Sequence, residues 1–142
     1  MESGGFRWAP FGPSTTQGAA EPSAAPPTEA QPARRMAVIC CMDARVDPLR
    51  ALGLKLGDAH VIRNAGAAVT DDVLQSLAAS RELAGTSSAV LVAHSDCKAH
   101  GGDDEVARAV VRNGVQRVRE ALPGVDVSAV FYDVVSGRVS GL

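Results

Sequence analysis

Three short apolar runs recur along the chain after residue 35, and each has the length of a buried strand. They are rich in β-branched and small apolar residues, and they occupy Met36–Cys41, Ala59–Asn64 and Ser88–His94. A fourth run at 127–134 predicts another strand, and the Ser-Gly pair that follows it predicts a turn.

Cap and stop residues delimit helices between these runs. Asp47 starts a short helix that ends at Gly53, and Thr70 starts a second helix that ends at Gly85. Apolar residues recur at helical spacing over 103–122, which predicts a third helix. Strands that alternate with helices in this order predict an α/β fold with a mostly parallel β-sheet flanked by helices.

Residues 1–35 differ in composition from the rest of the chain. They hold six of the eight prolines and show no sustained periodicity, which is typical of a segment that cannot bury enough surface to fold alone. We therefore predict a flexible tail at 1–35 and one domain at 36–142. Phe6, Trp8 and Phe11 form an aromatic cluster within the tail, and it either contacts nothing specific or docks on the domain or on a second subunit.

The domain is small, and only Phe131 and Tyr132 supply aromatic bulk to its core. A domain of this size buries a modest fraction of its surface, so we expect stabilisation by self-association as a homodimer or higher homo-oligomer.

Charge and cysteine content narrow the function classes. The formal net charge is −2, so nothing favours nucleic acid or an anionic membrane surface as a partner. No apolar stretch approaches the ~20 residues that span a bilayer. Three cysteines without a secretory signal argue against a disulfide framework. We expect a cytoplasmic protein with reduced thiols.

Three metal-ligating residues fall near strand ends. Cys41 ends the first predicted strand, His94 ends the third, and Cys97 follows three residues later. The carboxyl ends of parallel strands form the ligand crevice of an open sheet, so these residues can meet. Thiolates with imidazole favour zinc, and three protein ligands leave the open fourth position of a catalytic site.

An acid and a base accompany the first cysteine. If 41–45 is extended, Cys41, Asp43 and Arg45 point to one side, because side chains alternate along a strand. Arg45 is then placed to grip Asp43 in a bidentate pair, which keeps Asp43 ionised and oriented to accept a proton from metal-bound water. The competing interpretation is a structural ion pair that holds a loop.

The motifs carry a resemblance to a known family. CMDAR at 41–45, GDAHVIRNAG at 57–66, HSDC at 94–97 and FYDVVSG at 131–137 resemble, in order and rough spacing, the motifs of the β-carbonic anhydrases. The resemblance implies one Zn²⁺ per chain on Cys41, His94 and Cys97, with Asp43 and Arg45 as the catalytic dyad. It also implies a dimer and the reversible hydration of carbon dioxide to bicarbonate and a proton.

Three features depart from that family. Lys98 stands where its members usually have glycine, and either crowds the zinc approach or extends outward. The segment between Cys97 and the next helix is short, and the proline-rich tail replaces a helical arm. Two alternatives therefore stay open: hydrolysis of carbonyl sulfide or carbon disulfide at the same site, and a zinc-stabilised binding domain without activity.

Other residues receive ordinary structural interpretations. Cys40 should face away from Cys41 and pack in the core. His60 and His100 are expected to be packed or solvated, and Asp96 to face solvent. The small residues at 67–69 are predicted to form the wall of a carbon dioxide pocket.

Overall fold

A five-stranded sheet forms the centre of the fold. The computed structural model describes residues 27–142 of the chain. The strands of the sheet are β1 (Met36–Cys41), β2 (Ala59–Asn64), β3 (Ser88–His94), β4 (Asp126–Tyr132) and β5 (Val139–Gly141). Their order is β2-β1-β3-β4-β5, with β5 antiparallel to β4 and the other pairs parallel. The predicted α/β fold is confirmed. The sequence pattern missed β5, because its three exposed residues show no alternation of buried and exposed positions.

Three α-helices of residues 27–142 connect the strands, and the first two begin at the predicted caps Asp47 and Thr70. They are α1 (Pro48–Leu52), α2 (Asp71–Ala84) and α3 (Asp104–Ala121). The side chains of Asp47, Thr70 and Asp103 accept hydrogen bonds from N–H groups of the first turns. No helix within residues 27–142 combines the length and the apolar character that crossing a membrane requires.

The two faces of the sheet bury separate apolar clusters. The larger cluster packs under α2 and α3, and the smaller one joins Val38, Cys40 and Val92 to residues around α1. Cys40 thus lies in the core, as predicted. Burial raises the pKa of its thiol to about 11, so it stays protonated near neutral pH.

Helix α3 approaches the sheet closely at Gly114. A Cβ atom there would lie 2.7 Å from side-chain carbons of both Leu91 and Val69. This position therefore requires glycine for packing, although the backbone is helical.

The predicted division of the chain at residue 36 stays a prediction, because 1–26 and the aromatic cluster within it lie outside the described residues. Contacts with the domain begin slightly before that boundary. The N–H groups of Ala33 and Arg34 donate to the carbonyls of Gly57 and Asp58, both at 2.9 Å.

The order of the strands places a crevice between β1 and β3. The chain passes from β1 to β2 on one side and then to β3 on the other, so the strand order reverses at this pair. Ligands of open α/β sheets bind at such a point, outside the carboxyl ends of the strands. Cys41 and His94 are the last residues of these two strands.

Candidate metal centre and active site

The three predicted metal ligands meet at this crevice. One donor atom from each of Cys41, His94 and Cys97 lies within 4.8 Å of the others, and all three residues are buried. The two sulfur atoms are 3.9 Å apart. A tight turn after β3 brings Cys97 back to the strand end. Residues 56 positions apart along the chain thus share one small volume.

The ring of His94 is oriented with one nitrogen free. Its Nδ1 atom is 2.8 Å from the carbonyl oxygen of Ser95, and a carbonyl only accepts, so Nδ1 carries the proton. The other nitrogen, Nε2, is buried and has no hydrogen-bond partner among residues 27–142. A buried imidazole nitrogen without a hydrogen-bond partner, beside two sulfurs, fits a metal ion, because such an atom is costly to leave unsatisfied.

The sulfur atoms have environments that suit a cation. Burial raises the pKa of the Cys97 thiol, so its deprotonation depends on a nearby positive charge. The N–H of Gly66 donates to the Cys41 sulfur at 3.3 Å. No ligand is part of the structure, and the donor set itself, two thiols with one imidazole, is the one that zinc prefers.

Asp43 and Arg45 form the predicted bidentate pair. Nε and Nη2 of Arg45 donate to the two carboxylate oxygens of Asp43 at 3.0 and 2.8 Å, and the Arg45 backbone N–H adds a third bond at 2.8 Å. These Arg45 hydrogen bonds hold the pKa of the Asp43 carboxyl well below its usual range. One Asp43 oxygen lies 3.8 Å from Nε2 of His94, so the carboxylate borders the metal centre.

The backbone that carries this pair is not extended, and that premise of the prediction was wrong. Strand β1 ends at Cys41, and the Val46 N–H donates to the Asp43 carbonyl at 3.0 Å, which closes a turn. Arg63 secures the turn from β2. Its guanidinium donates to the carbonyls of Cys41, Asp43 and Val46 at 2.7 to 2.9 Å. No role was predicted for Arg63, although a charged residue within a strand predicted to be buried is a usable signal.

Asp96 was expected to face solvent, and its side chain is 46% exposed, but its oxygens also have partners at the site. Its carboxylate accepts from Nη1 of Arg45 at 3.2 Å and from the Lys98 ammonium at 2.9 Å. Its carbonyl accepts from Nη2 of Arg45 at 2.9 Å. Lys98 and then Arg45 lower the pKa of Asp96. Asp43, Arg45, Asp96 and Lys98 therefore form a chain of alternating charges along the crevice.

An open cleft of about 680 Å³ borders Cys41. Its walls are largely apolar, with Arg45 and Lys98 as its cationic residues, and they comprise Cys41, Met42, Asp43, Ala44, Arg45, Ala65, Lys98 and Ala99. The segment 67–69 does not line this cleft, contrary to the prediction. Ala67 and Val69 are instead buried in the larger core cluster.

The two remaining histidines differ in their relation to the site. His60 contacts the Ser80 hydroxyl at 2.6 Å and lies away from the three ligands, as a packed histidine. His100 follows Cys97 by three residues, and its Nε2 donates to the Gly66 carbonyl at 3.0 Å. Both were predicted to be packed or solvated histidines. His100 is packed next to the site, since its partner Gly66 also contacts the Cys41 sulfur.

Known proteins are similar to this chain in both sequence and fold. A family model described as carbonic anhydrase matches residues 36–129. The chain is 49% identical over 139 residues to β-carbonic anhydrase 1 of Mycobacterium tuberculosis, covering 80% of this chain and 85% of that protein. It is 39% identical over 84 residues to a carbon disulfide hydrolase of Saccharolobus solfataricus, covering 58% of this chain and 41% of that protein.

Among solved structures, a carbonic anhydrase from Streptococcus mutans superposes with a TM-score of 0.78 at 33% identity. That match covers 89% of this chain and 92% of the other. The sequence match spans most of both chains, and the residues matched by the family model include the strands whose ends carry the predicted ligands. The chain belongs to the β-carbonic anhydrase family.

Proposed function

We propose that this chain catalyses the reversible hydration of carbon dioxide to bicarbonate and a proton. In this proposal Cys41, His94 and Cys97 hold one Zn²⁺, Asp43 accepts a hydrogen bond from the attacking water, and Arg45 positions Asp43. One observation supports this proposal above all. The sulfurs of the two cysteines and a ring nitrogen of His94 lie within 4.8 Å of one another, and an Asp43 oxygen is 3.8 Å from the unpartnered Nε2 of that ring.

The donor set supports a catalytic rather than a purely structural metal. Only three protein ligands converge among the described residues, whereas structural zinc is usually closed by four. Zinc bound in such a set acts as a Lewis acid that acidifies a coordinated water.

Asp43 supplies a directed acceptor beside the metal centre. Its carboxylate has two oxygens, and both are engaged by Arg45, so the plane of the group is fixed. A carboxylate accepts a proton or a hydrogen bond along its lone-pair directions, and the pair aims one oxygen toward the centre. The low pKa of Asp43 keeps this group an acceptor throughout the neutral range.

Arg45 restrains Asp43 and is itself restrained. Four hydrogen bonds leave its side-chain nitrogens, two to the Asp43 carboxylate and two to the carboxylate and carbonyl of Asp96. A guanidinium has five N–H groups, so little freedom is left to rotate the fork. We propose that this anchoring keeps Asp43 from taking the fourth ligand position itself.

The cleft suits a small uncharged substrate. Met42, Ala44, Ala65 and Ala99 provide apolar walls next to Cys41. Carbon dioxide has no net charge, so it needs no ionic partner for entry. The ammonium of Lys98 pairs with Asp96, and the Lys98 side chain is 78% exposed, an arrangement that favours the outward conformation over blockage of the cleft.

Stopped-flow hydration of carbon dioxide by zinc-quantified protein tests the proposal. We expect activity proportional to zinc content in the parent chain and none above background in Cys97→Ser, which loses a ligand. A parent chain that binds zinc without hydrating carbon dioxide would refute the assignment. Four protein ligands and no exchangeable water, seen by metal spectroscopy, would instead support a non-catalytic binding domain.

A second candidate function uses the same site. The similarity to carbon disulfide hydrolases covers 58% of this chain, and apolar walls also suit carbon disulfide or carbonyl sulfide. Assays with these two substrates, run beside the carbon dioxide assay on one preparation, separate the activities. We expect the carbon dioxide rate to be the largest.

We also propose that the chain acts as a homodimer or higher homo-oligomer in the cytoplasm. Large apolar side chains such as Met42 at the cleft and Leu83 on α2 are exposed, at 66% and 86%. All three cysteines are free thiols, which suits a reducing compartment. A concentration-independent monomer in analytical ultracentrifugation would contradict the oligomer.

A further inference from the structure

His100 connects the segments that carry the two cysteine ligands. It ends the short 3-10 turn Lys98–His100 that follows Cys97, and its backbone N–H donates to the Cys97 carbonyl at 3.0 Å. Its ring extends to the segment after β2. There Nε2 donates to the carbonyl oxygen of Gly66 at 3.0 Å, across 34 positions of sequence.

Gly66 is in turn the residue that contacts the other ligand. It lies in the 3-10 turn Ala65–Ala67, and its N–H donates to the Cys41 sulfur at 3.3 Å. Its φ of +85° is a backbone conformation that residues with a side chain rarely adopt. A Cβ atom at this position would lie 2.5 Å from Nε2 of His100, so the ring occupies space that only glycine leaves open.

We infer that His100 is a positioning residue for the metal centre, holding Gly66 so that the Gly66 N–H remains on the Cys41 sulfur. The inference rests on the proposed metal site. A hydrogen bond to a metal-bound sulfur withdraws charge from it and fixes its direction, and such bonds tune both metal affinity and the electronic properties of the centre. His100 acts on the sulfur only through Gly66, so it needs no contact with substrate.

The test uses variants that differ in their ability to donate to the Gly66 carbonyl. His100→Leu retains an apolar side chain without a donor, and His100→Gln retains an N–H at about the reach of Nε2. His60→Leu is the matched control, because it removes the histidine that contacts Ser80 away from the centre. Each full-length protein is loaded with Zn²⁺ for chelator competition and with Co²⁺ for absorption spectroscopy.

We expect His100→Leu to release zinc to the chelator about three- to tenfold faster than the parent, which is near the lower bound for losing a partner of a metal ligand. Its sulfur-to-cobalt charge-transfer band should move to lower energy, because a sulfur without its hydrogen bond gives up charge more easily. His100→Gln and His60→Leu should both resemble the parent. If His100→Leu does not fold, His100→Asn replaces it, since its amide ends short of Gly66.

If His100→Leu shows the band and the zinc release rate of the parent, the inference is wrong. It is also wrong if the parent itself gives no sulfur-to-cobalt band. Neither readout depends on turnover. A chain that shows the band but does not hydrate carbon dioxide would therefore refute the proposed function and leave the inference standing.

Discussion

Replacing Arg45 by alanine tests the proposed mechanism most directly. The change deletes four side-chain hydrogen bonds, two of which orient the Asp43 carboxylate. The three metal ligands are untouched, so we expect zinc content to stay at about one per chain. Activity should fall, because only the backbone N–H of residue 45 then holds one oxygen of the Asp43 carboxylate, and the second oxygen is free to turn toward the metal.

The size of the loss follows from the role assigned to Asp43. Removing a well-placed proton acceptor or charge-stabilising donor typically costs on the order of 10² to 10⁴ in rate. We expect about a 100-fold fall in kcat/KM, which corresponds to about 2.7 kcal/mol at 1.36 kcal/mol per tenfold. Asp43 starts only 3.8 Å from Nε2 of His94, so a small rotation brings its oxygen to the ligand position.

The pH dependence separates a geometric role from an electrostatic one. Arg45 lowers the pKa of Asp43, so its removal lets that pKa rise toward the ordinary value of about 3.9. Asp43 therefore stays ionised from about pH 6 to 9 with or without Arg45. The expected loss is uniform across this range. A loss confined to the acidic end would mean that Arg45 acts by controlling a proton.

Two controls complete the experiment. Arg45→Lys keeps the positive charge but lacks the planar guanidinium. Its activity should lie between those of the parent and Arg45→Ala, because lysine cannot hold both Asp43 oxygens in one plane. Arg50→Ala removes an exposed arginine of α1 and should behave as the parent. If Arg45→Ala matches the parent at equal zinc content from about pH 6 to 9, the pair is structural and the mechanism is wrong.

Three further predictions concern the metal, the packing and the ion pairs. Cys97→Ser should lose bound zinc and melt at a lower temperature than the zinc-loaded parent, as measured by metal analysis and calorimetry. Gly114→Ala should lower stability by about 1–3 kcal/mol in denaturant unfolding, because its Cβ would meet side chains at 2.7 Å, whereas Gly141→Ala, with open space, should change little. Asp58→Asn should lower the melting temperature at neutral pH. Hydrogen bonds from Lys55 depress the pKa of Asp58, so its contribution is present above about pH 4 and is lost as the pH falls toward the depressed value; the difference from the parent should therefore shrink in acid.

Local signals in the sequence were sufficient for most of the fold. Asp47 and Thr70 begin helices, and Gly53 and Gly85 end them, because caps act within one turn of chain. The buried strands were visible as apolar runs. Strand β5 was not visible, since it is an exposed edge strand whose pairing with β4 depends on the preceding turn.

The cluster of two cysteines and one histidine was predictable for a related reason. A parallel sheet brings the ends of its strands to one edge, so Cys41 and His94 were expected to meet once both were placed at strand ends. The structure places Asp43 beside this cluster, but not for the reason given. Alternation along a strand does not bring Asp43 to the centre, because the chain turns after Cys41. The Asp43 carboxylate helps to build the turn that carries it, because it accepts a hydrogen bond from the Arg45 backbone N–H.

The residues that sequence analysis missed share one kind of interaction. Arg63 donates to three carbonyls of the turn after β1, Asp96 offers its own carbonyl to Arg45, and His100 donates to the carbonyl of Gly66. Any residue provides a carbonyl, so a bond to one leaves no complementary residue type in the sequence. These bonds span 17 to 51 positions, beyond the reach of periodicity or capping rules. The side chains that hold a metal can be recognised by their chemistry, whereas the groups that orient them act through the backbone and become visible only in the folded structure.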